Sequence, residues 1–216
     1  MKRTKAQAQE TREQLLLAAL DVFDRRGVAR ASLQEIAQEA GLTRGALYWH
    51  FKNKEDLFDA LFLRIFHDVS QRLDDDIRNN APDMLASLRQ ALVNMFERLQ
   101  HNALHRKFSH ILHLKCEHTQ ENAGIVDIMN RYHLMWQEQT ESALRLCVRQ
   151  GALPSDLDLA FATTWLKSAV VGLLQLWLVK PERVDLSATA PRVIDVALGA
   201  LQNDPLLRAG AQSSNP

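Results

Sequence analysis

A chain of 216 residues with 26 basic and 26 acidic side chains carries no net charge, and 46% of it is apolar, which excludes intrinsic disorder and leaves room for a sizeable core. Eight glycines and six prolines are few for this length, so the composition favours helices over a many-turned β fold. Cys116 and Cys147 are the only thiols, too few for a disulfide framework or a four-thiolate zinc site. The first ten residues lack the apolar core of a secretory signal, which predicts a cytoplasmic protein. The most apolar stretch, 168–179, is bounded by Lys167 and Lys180. It is shorter than the roughly 18 residues of a membrane span and predicts a buried helix with no membrane partner.

In chain order, Leu16, Ala19, Leu20 and Phe23 recur at helical spacing over 11–26, and Gly27 offers a left-handed terminator. Ser32 and Glu35 form a capping-box pattern that starts a second helix at Leu33 and stops it at Gly41. Thr43 caps a third helix through His50 after a short turn, so the second and third helices must cross steeply. Leu57, Leu61, Phe62, Ile65, Phe66 and Val69 predict a longer helix over 53–79. Further helices are predicted over 82–100, 103–118, 120–150, 155–180 and 186–201, separated by Pro82, Asn102, Gly151, Pro154 and Pro181. The fold class is therefore all-α, with about nine helices. Its divisions are a head at 1–54, a body at 55–210 and a flexible tail at 211–216.

Charge separates within this plan. Residues 1–54 hold ten Lys or Arg against six Asp or Glu, which points to an anionic partner for the head. The stretch from Ser32 to Lys54, SLQEIAQEAGLTRGALYWHFKNK, meets the local demands of a helix-turn-helix. Such a unit sets the amino-terminal residues of its second helix against base edges in the DNA major groove. Here those residues are Thr43, Arg44 and Gly45; Arg44 can form two parallel hydrogen bonds to a guanine. Tyr48, Trp49 and His50 supply rings and polar tips for the sugar-phosphate backbone, and Lys52 and Lys54 can pair with phosphates. The competing reading is a helix pair in a protein that touches no nucleic acid, with Tyr48 and Trp49 in its core.

The segments ALDVFDRRGV, ASLQEIAQEAG and TRGALYWHFKNKEDLF resemble the TetR/AcrR family of transcriptional repressors closely over residues 10–60. Residues 111–118, ILHLKCEH, are similar to a segment of the AcrR-like subgroup that controls multidrug efflux pumps, with Leu114 standing between His113 and Lys115. The resemblance implies a two-domain homodimer whose last two long helices pair across a two-fold axis. It implies repression at a palindromic DNA operator until a small hydrophobic inducer enters the body. It also implies base contacts for Thr43, Arg44 and Gly45, phosphate contacts for Tyr48, Trp49, His50 and Lys54, and a basic arm at Lys2, Arg3 and Lys5. No cofactor and no catalysis are implied.

Apolar residues in 155–201, among them Phe161, Trp165, Trp177, Val193 and Val196, are too broadly spread for one buried stripe per helix and call for a second helical surface. An inducer pocket is expected among Phe62, Phe66, Phe96, Tyr132, Trp136 and Trp165, with His110, His113 and Gln175 as polar anchors and Cys116 and Gln137 as further candidates. His110, His113, Cys116 and Glu117 on one putative helix raise the alternative of a metal or redox sensor, for which Cys147 or His133 would have to complete the site. The acidic residues between Glu13 and Asp24 and at 74–76 read as solvated faces.

Overall fold

The structure, a computed structural model, describes residues 5–116 and 122–210, with residues 67–70 described in backbone only. Its elements are α1 (Lys5–Arg26), α2 (Leu33–Glu39), α3 (Arg44–His50), α4 (Lys54–Arg78), α5 (Met84–His101), α6 (Ala103–His110), α7 (Ala123–Arg149), α8 (Leu159–Val179) and α9 (Leu186–Asn203). A π-helical turn, Ile111–Lys115, follows α6. The all-α expectation is met. The basic arm at Lys2 and Arg3, the candidate ligand Glu117 and the tail at 211–216 lie outside the described residues.

The chain divides into two compact units. The first holds residues up to His67 together with Ala103–Tyr132; the second holds Asp68–Asn102 and the residues from His133 onward. The first unit is larger than the 1–54 head drawn from the sequence. The reason is its core, where Phe23, Ile36, Leu47 and Phe51 of the first three helices pack in one cluster with Leu57, Phe58 and Leu61 of α4, Phe108 of α6 and Ile125 of α7. Phe58 lies edge-on to Phe23 and also meets Phe108, with ring centroids 6.0 and 5.6 Å apart. Each fully buried large side chain of this kind contributes about 1.5–3 kcal/mol, so α4, α6 and α7 support the head as its own helices do.

Two helices depart from their predicted extent. α1 begins at Lys5 because KAQAQE is a run of good helix formers, although the apolar periodicity starts only near Leu15. Thr11 lies inside the helix, donating to the Gln7 carbonyl at 2.9 Å. The single helix predicted over 103–118 instead ends at His110, passes through the π turn and reaches an extended Cys116. There the Lys115 carbonyl accepts from Val28 N–H at 3.3 Å, a bond made to the α1–α2 loop. Gly27 turns that loop at φ +79, and a side chain there would meet the Lys115 carbonyl at 3.4 Å.

In the second unit, α5, α8 and α9 pack around Phe96, Leu166, Leu173, Trp177, Ile194 and Leu201. Arg89 of α5 grips Asp195 of α9 with two parallel hydrogen bonds of 2.5 and 2.9 Å. α8 is longer than the apolar stretch read from the sequence, because Lys167 lies inside it. With 21 residues and a mean hydropathy of 1.4 over an 18-residue window, it is the one described helix long and apolar enough to cross a membrane by length and composition. Leu166, Val170, Leu173 and Trp177 place one of its faces in this core instead.

Candidate nucleic-acid interface

Local chemistry builds the helix pair α2–α3. The Ser32 hydroxyl accepts from Glu35 N–H at 3.2 Å, and the Glu35 carboxylate accepts from Ser32 N–H at 3.0 Å, a reciprocal capping box. Arg26, at the end of α1, also donates to Glu35 at 2.8 Å. The Arg26 hydrogen bond, with those from Ser32, draws the carboxyl down to about 2. Arg25 pairs with Glu39 at 2.7 Å, so α1 holds both ends of α2.

The turn from α2 to α3 pivots on Gly41, whose φ of +67 suits glycine, and no atom lies within 4 Å of where a side chain would start. The requirement there is backbone conformation alone. Leu42 N–H then donates to the Ala37 carbonyl at 2.8 Å, and Thr43 caps α3 by accepting from Ala46 N–H at 3.1 Å. Leu47 is the buried anchor of this short helix.

Around that anchor, α3 turns its remaining chemistry outward. Thr43, Arg44 and Gly45 are exposed at its amino-terminal end. Tyr48 is 45% and Trp49 71% exposed, which overturns the reading that placed both rings in a core. A Trp held this open on a short anchored helix is an aromatic contact surface directed at solvent. The Arg44 guanidinium lies over the Tyr48 ring and donates to its hydroxyl at 3.1 Å. His50 is half-buried and packs edge-on to Trp49, with centroids 4.6 Å apart.

The two lysines differ. Lys52 is exposed, while its backbone N–H donates to Asp56 at 2.9 Å. Lys54, predicted to meet phosphate, turns its ammonium inward and donates to the carbonyls of Val28 and Ala29 at 2.8 and 2.9 Å. These carbonyls belong to the loop after α1, so Lys54 fastens the start of α4 to that loop. The spacing of the sequence could not reveal this contact, which joins residues 25 and 26 positions apart.

The predicted inducer residues are divided between the two units. Phe62, Phe66 and Tyr132 cluster in the first unit: Phe62 stacks on Tyr132 with centroids 3.5 Å apart and lies 4.8 Å from Phe66. The Tyr132 hydroxyl donates to Asp59 at 2.8 Å; burial, then that carboxylate, push its ionisation upward. His110 meets Asp24 of α1 at 3.1 Å, and Lys107 pairs with Asp21, so these acidic residues are polar partners of α6 as well as surface. His113 and Cys116 are half-buried, and the Cys116 thiol lies 3.3 Å from the Met129 sulfur.

Phe96, Trp136, Trp165 and Gln175 belong to the second unit. Phe96 is core, and the Trp165 indole donates to the Ala197 carbonyl at 3.2 Å. Gln175 is half-buried on α8. Cys147 is buried there too, and burial first, then the Asp83 charge, push its thiol up to about 12. The single helix that raised the metal-sensor alternative ends at His110, and among the described residues no group of three or more His, Cys, Asp or Glu is arranged to hold a metal ion.

A cavity of about 520 Å³ opens between α7 and α8, lined by Gln137, Thr163, Thr164, Lys167, Ser168 and Val171. Of these only Gln137 was a sequence candidate. The available signal for the rest was Lys167, one charge within the most apolar helix of the chain.

A capped, outward-facing second helix bearing Arg, Tyr and Trp on a three-helix head defines a helix-turn-helix DNA-binding regulator. The family profile of bacterial regulatory proteins, tetR family, matches residues 15–61, and that of the C-terminal region of MAATS-type transcriptional repressors matches residues 83–203. The chain is 39% identical over 210 residues to the HTH-type transcriptional regulator TtgR of Pseudomonas putida, covering 96% of this chain and 99% of that one. It belongs to the TetR family of transcriptional regulators. Among solved structures, MexZ, described as a key repressor responsible for antibiotic resistance in Pseudomonas aeruginosa, is 29% identical with a TM-score of 0.80, covering 94% of this chain and all of that one. SmeT in complex with triclosan is 30% identical with a TM-score of 0.83, covering 94% and 96%; SmeT is the repressor of the Stenotrophomonas maltophilia multidrug efflux pump SmeDEF.

Proposed function

We propose that this protein is a cytoplasmic, non-catalytic repressor of a multidrug efflux operon, bound as a homodimer to a palindromic operator and released from it by a small hydrophobic inducer. The observation that carries the DNA half is the exposed array on α3. Thr43, Arg44 and Gly45 meet base edges, Arg44 bidentately; Tyr48, Trp49 and His50 meet sugar and phosphate, and Lys52 pairs with phosphate. Lys54 acts from within, holding the head together. The efflux and inducer half is supported by SmeT, described as the repressor of a multidrug efflux pump and solved in complex with triclosan.

Dimerisation through α8 and α9 is supported by Phe161, Trp165, Leu176 and Val179 on α8 and by Val196 on α9. All five are exposed, Leu176 at 66% and Val196 at 71%. Such large apolar groups outside the core fit a second copy better than water. Two heads then read half-sites one helical turn or a multiple apart. Inducer and operator oppose each other through linkage, so a ligand that weakens DNA binding is itself bound less well by the DNA complex.

The test is selection of bound duplexes from random DNA, followed by triclosan titration of the protein alone and of its operator complex. A palindrome and a weaker triclosan affinity in the complex are expected. Equal affinities overturn the inducer mechanism; absence of any protected sequence at low salt overturns the DNA reading.

A further inference from the structure

From the α7–α8 cavity we infer a binding site for aromatic carboxylates, in which Lys167 meets the carboxylate and the aromatic body lies toward Val171; this rests on the ligand-responsive reading above. The volume of about 520 Å³ lies in the range of small-molecule sites. Its polar groups are unequal. The Thr163, Thr164 and Ser168 hydroxyls donate to the carbonyls of Leu159, Ala160 and Thr164 at 2.7, 3.0 and 2.8 Å. Their protons are thereby directed into the helix, which leaves the oxygens as acceptors. Gln137 supplies an amide. Lys167 is the one charged lining residue, and no carboxylate lines the cavity to neutralise it.

The Lys167 ammonium lies 5.9 Å from the centre of the Trp136 ring, one residue before Gln137 on α7. An aromatic face attracts a cation without neutralising it, so the ammonium is held beside the cavity with its hydrogen-bonding capacity for an anion retained. An anionic ligand gains a charge-assisted bond there. A cationic one meets a like charge and no counter-ion. The site therefore ranks ligands of one shape by charge, acid above alcohol above ammonium.

Calorimetric titration of the full-length protein with naphthoate, naphthalenemethanol and naphthylmethylammonium at physiological salt tests this ranking. Naphthoate should bind about tenfold more tightly than the alcohol, as expected of a hydrogen bond to a charged group, and the ammonium more weakly than either. Lys167→Met should abolish the acid preference at an unchanged denaturation midpoint, which reports an intact fold, and Lys167→Arg should retain it. Equal binding of acid and alcohol, an acid preference that survives Lys167→Met, or no binding of any of the three overturns the inference. Release of the operator by triclosan in a protein that fails these titrations would sink this site alone. An acid preference lost in Lys167→Met, with no response of the operator complex, would sink the release mechanism alone.

Discussion

α3 and α8 solve opposite problems. α3 has seven residues, one buried anchor at Leu47, and a surface that bears nearly all its chemistry. α8 has 21 residues, a broad apolar content, and one lysine among side chains that mostly serve packing. A short helix cannot stabilise itself in water, so α3 depends on the Thr43 cap, the Gly41 turn and the core of its unit. In return, its exposed residues are free of structural duty. On α8 the two roles share the same turns: Leu166 is core, and the adjoining Lys167 lines a cavity. Fold and function are thus separable by mutation on α3 and adjacent on α8.

The largest effect expected is on that separation. Leu47→Ala removes the single buried anchor of α3 and should cost about 2–5 kcal/mol, as large-to-small core changes do, read as a shift in the denaturation midpoint. Trp49→Ala should leave the midpoint within about 0.5 kcal/mol, as surface substitutions do, while weakening duplex binding. A Trp49→Ala protein as unstable as Leu47→Ala would break the comparison.

Next in size is Arg44→Ala. Loss of a bidentate base contact costs about 1–3 kcal/mol of operator affinity and relaxes preference at one base position, measured by binding to a set of single-base operator variants. Tyr48→Phe sharpens the point. It removes the hydroxyl that accepts from Arg44 in the free protein, so it should change preference at the same base position as Arg44→Ala, on top of a uniform weakening from the lost backbone contact. Lys54→Met takes two hydrogen bonds from the α1–α2 loop. Stability should fall by about 1–3 kcal/mol, the cost of leaving carbonyl acceptors unsatisfied, while the salt dependence of DNA binding stays that of the parent. A flattened salt slope with unchanged stability would return Lys54 to the phosphates.

The legibility of the two regions follows the same division. The capping box, the Gly41 turn and the outward placement of Arg44 rest on neighbours within a few positions, and residue types at fixed spacing carry that information. The inward turn of Lys54, the pairing of His110 with Asp24 and the π turn at Ile111–Lys115 depend on contacts between distant parts of the chain, for which helical periodicity has no signal. The aromatic residues raise a related point. Aromatic residues mark where apolar mass is, and Phe62, Tyr132 and Phe96 proved to stack or fill cores. The α7–α8 cavity is lined in part by the small hydroxyl residues Thr163, Thr164 and Ser168, whose lack of bulk leaves space open there.

The smallest effect sharpens the comparison at the join between α1 and α2. The Glu35 carboxyl, held at about 2 by Arg26 and Ser32 against its ordinary 4.5, titrates lower in the folded chain than in the unfolded one. A depressed carboxyl contributes stability above its unfolded value and loses it as pH falls toward the folded one. Between pH 7 and about 5 the contribution should be constant, and it should fade progressively as pH drops from there toward 2. Glu35→Gln keeps the shape but not the charge, so its melting temperature should lie below that of the parent at neutral pH. The two should converge under acid conditions, where the parent carboxyl is protonated. Both curves come from thermal denaturation across the pH series. A gap of constant size down to the lowest pH would mean that the charge at the start of α2 does not stabilise the head.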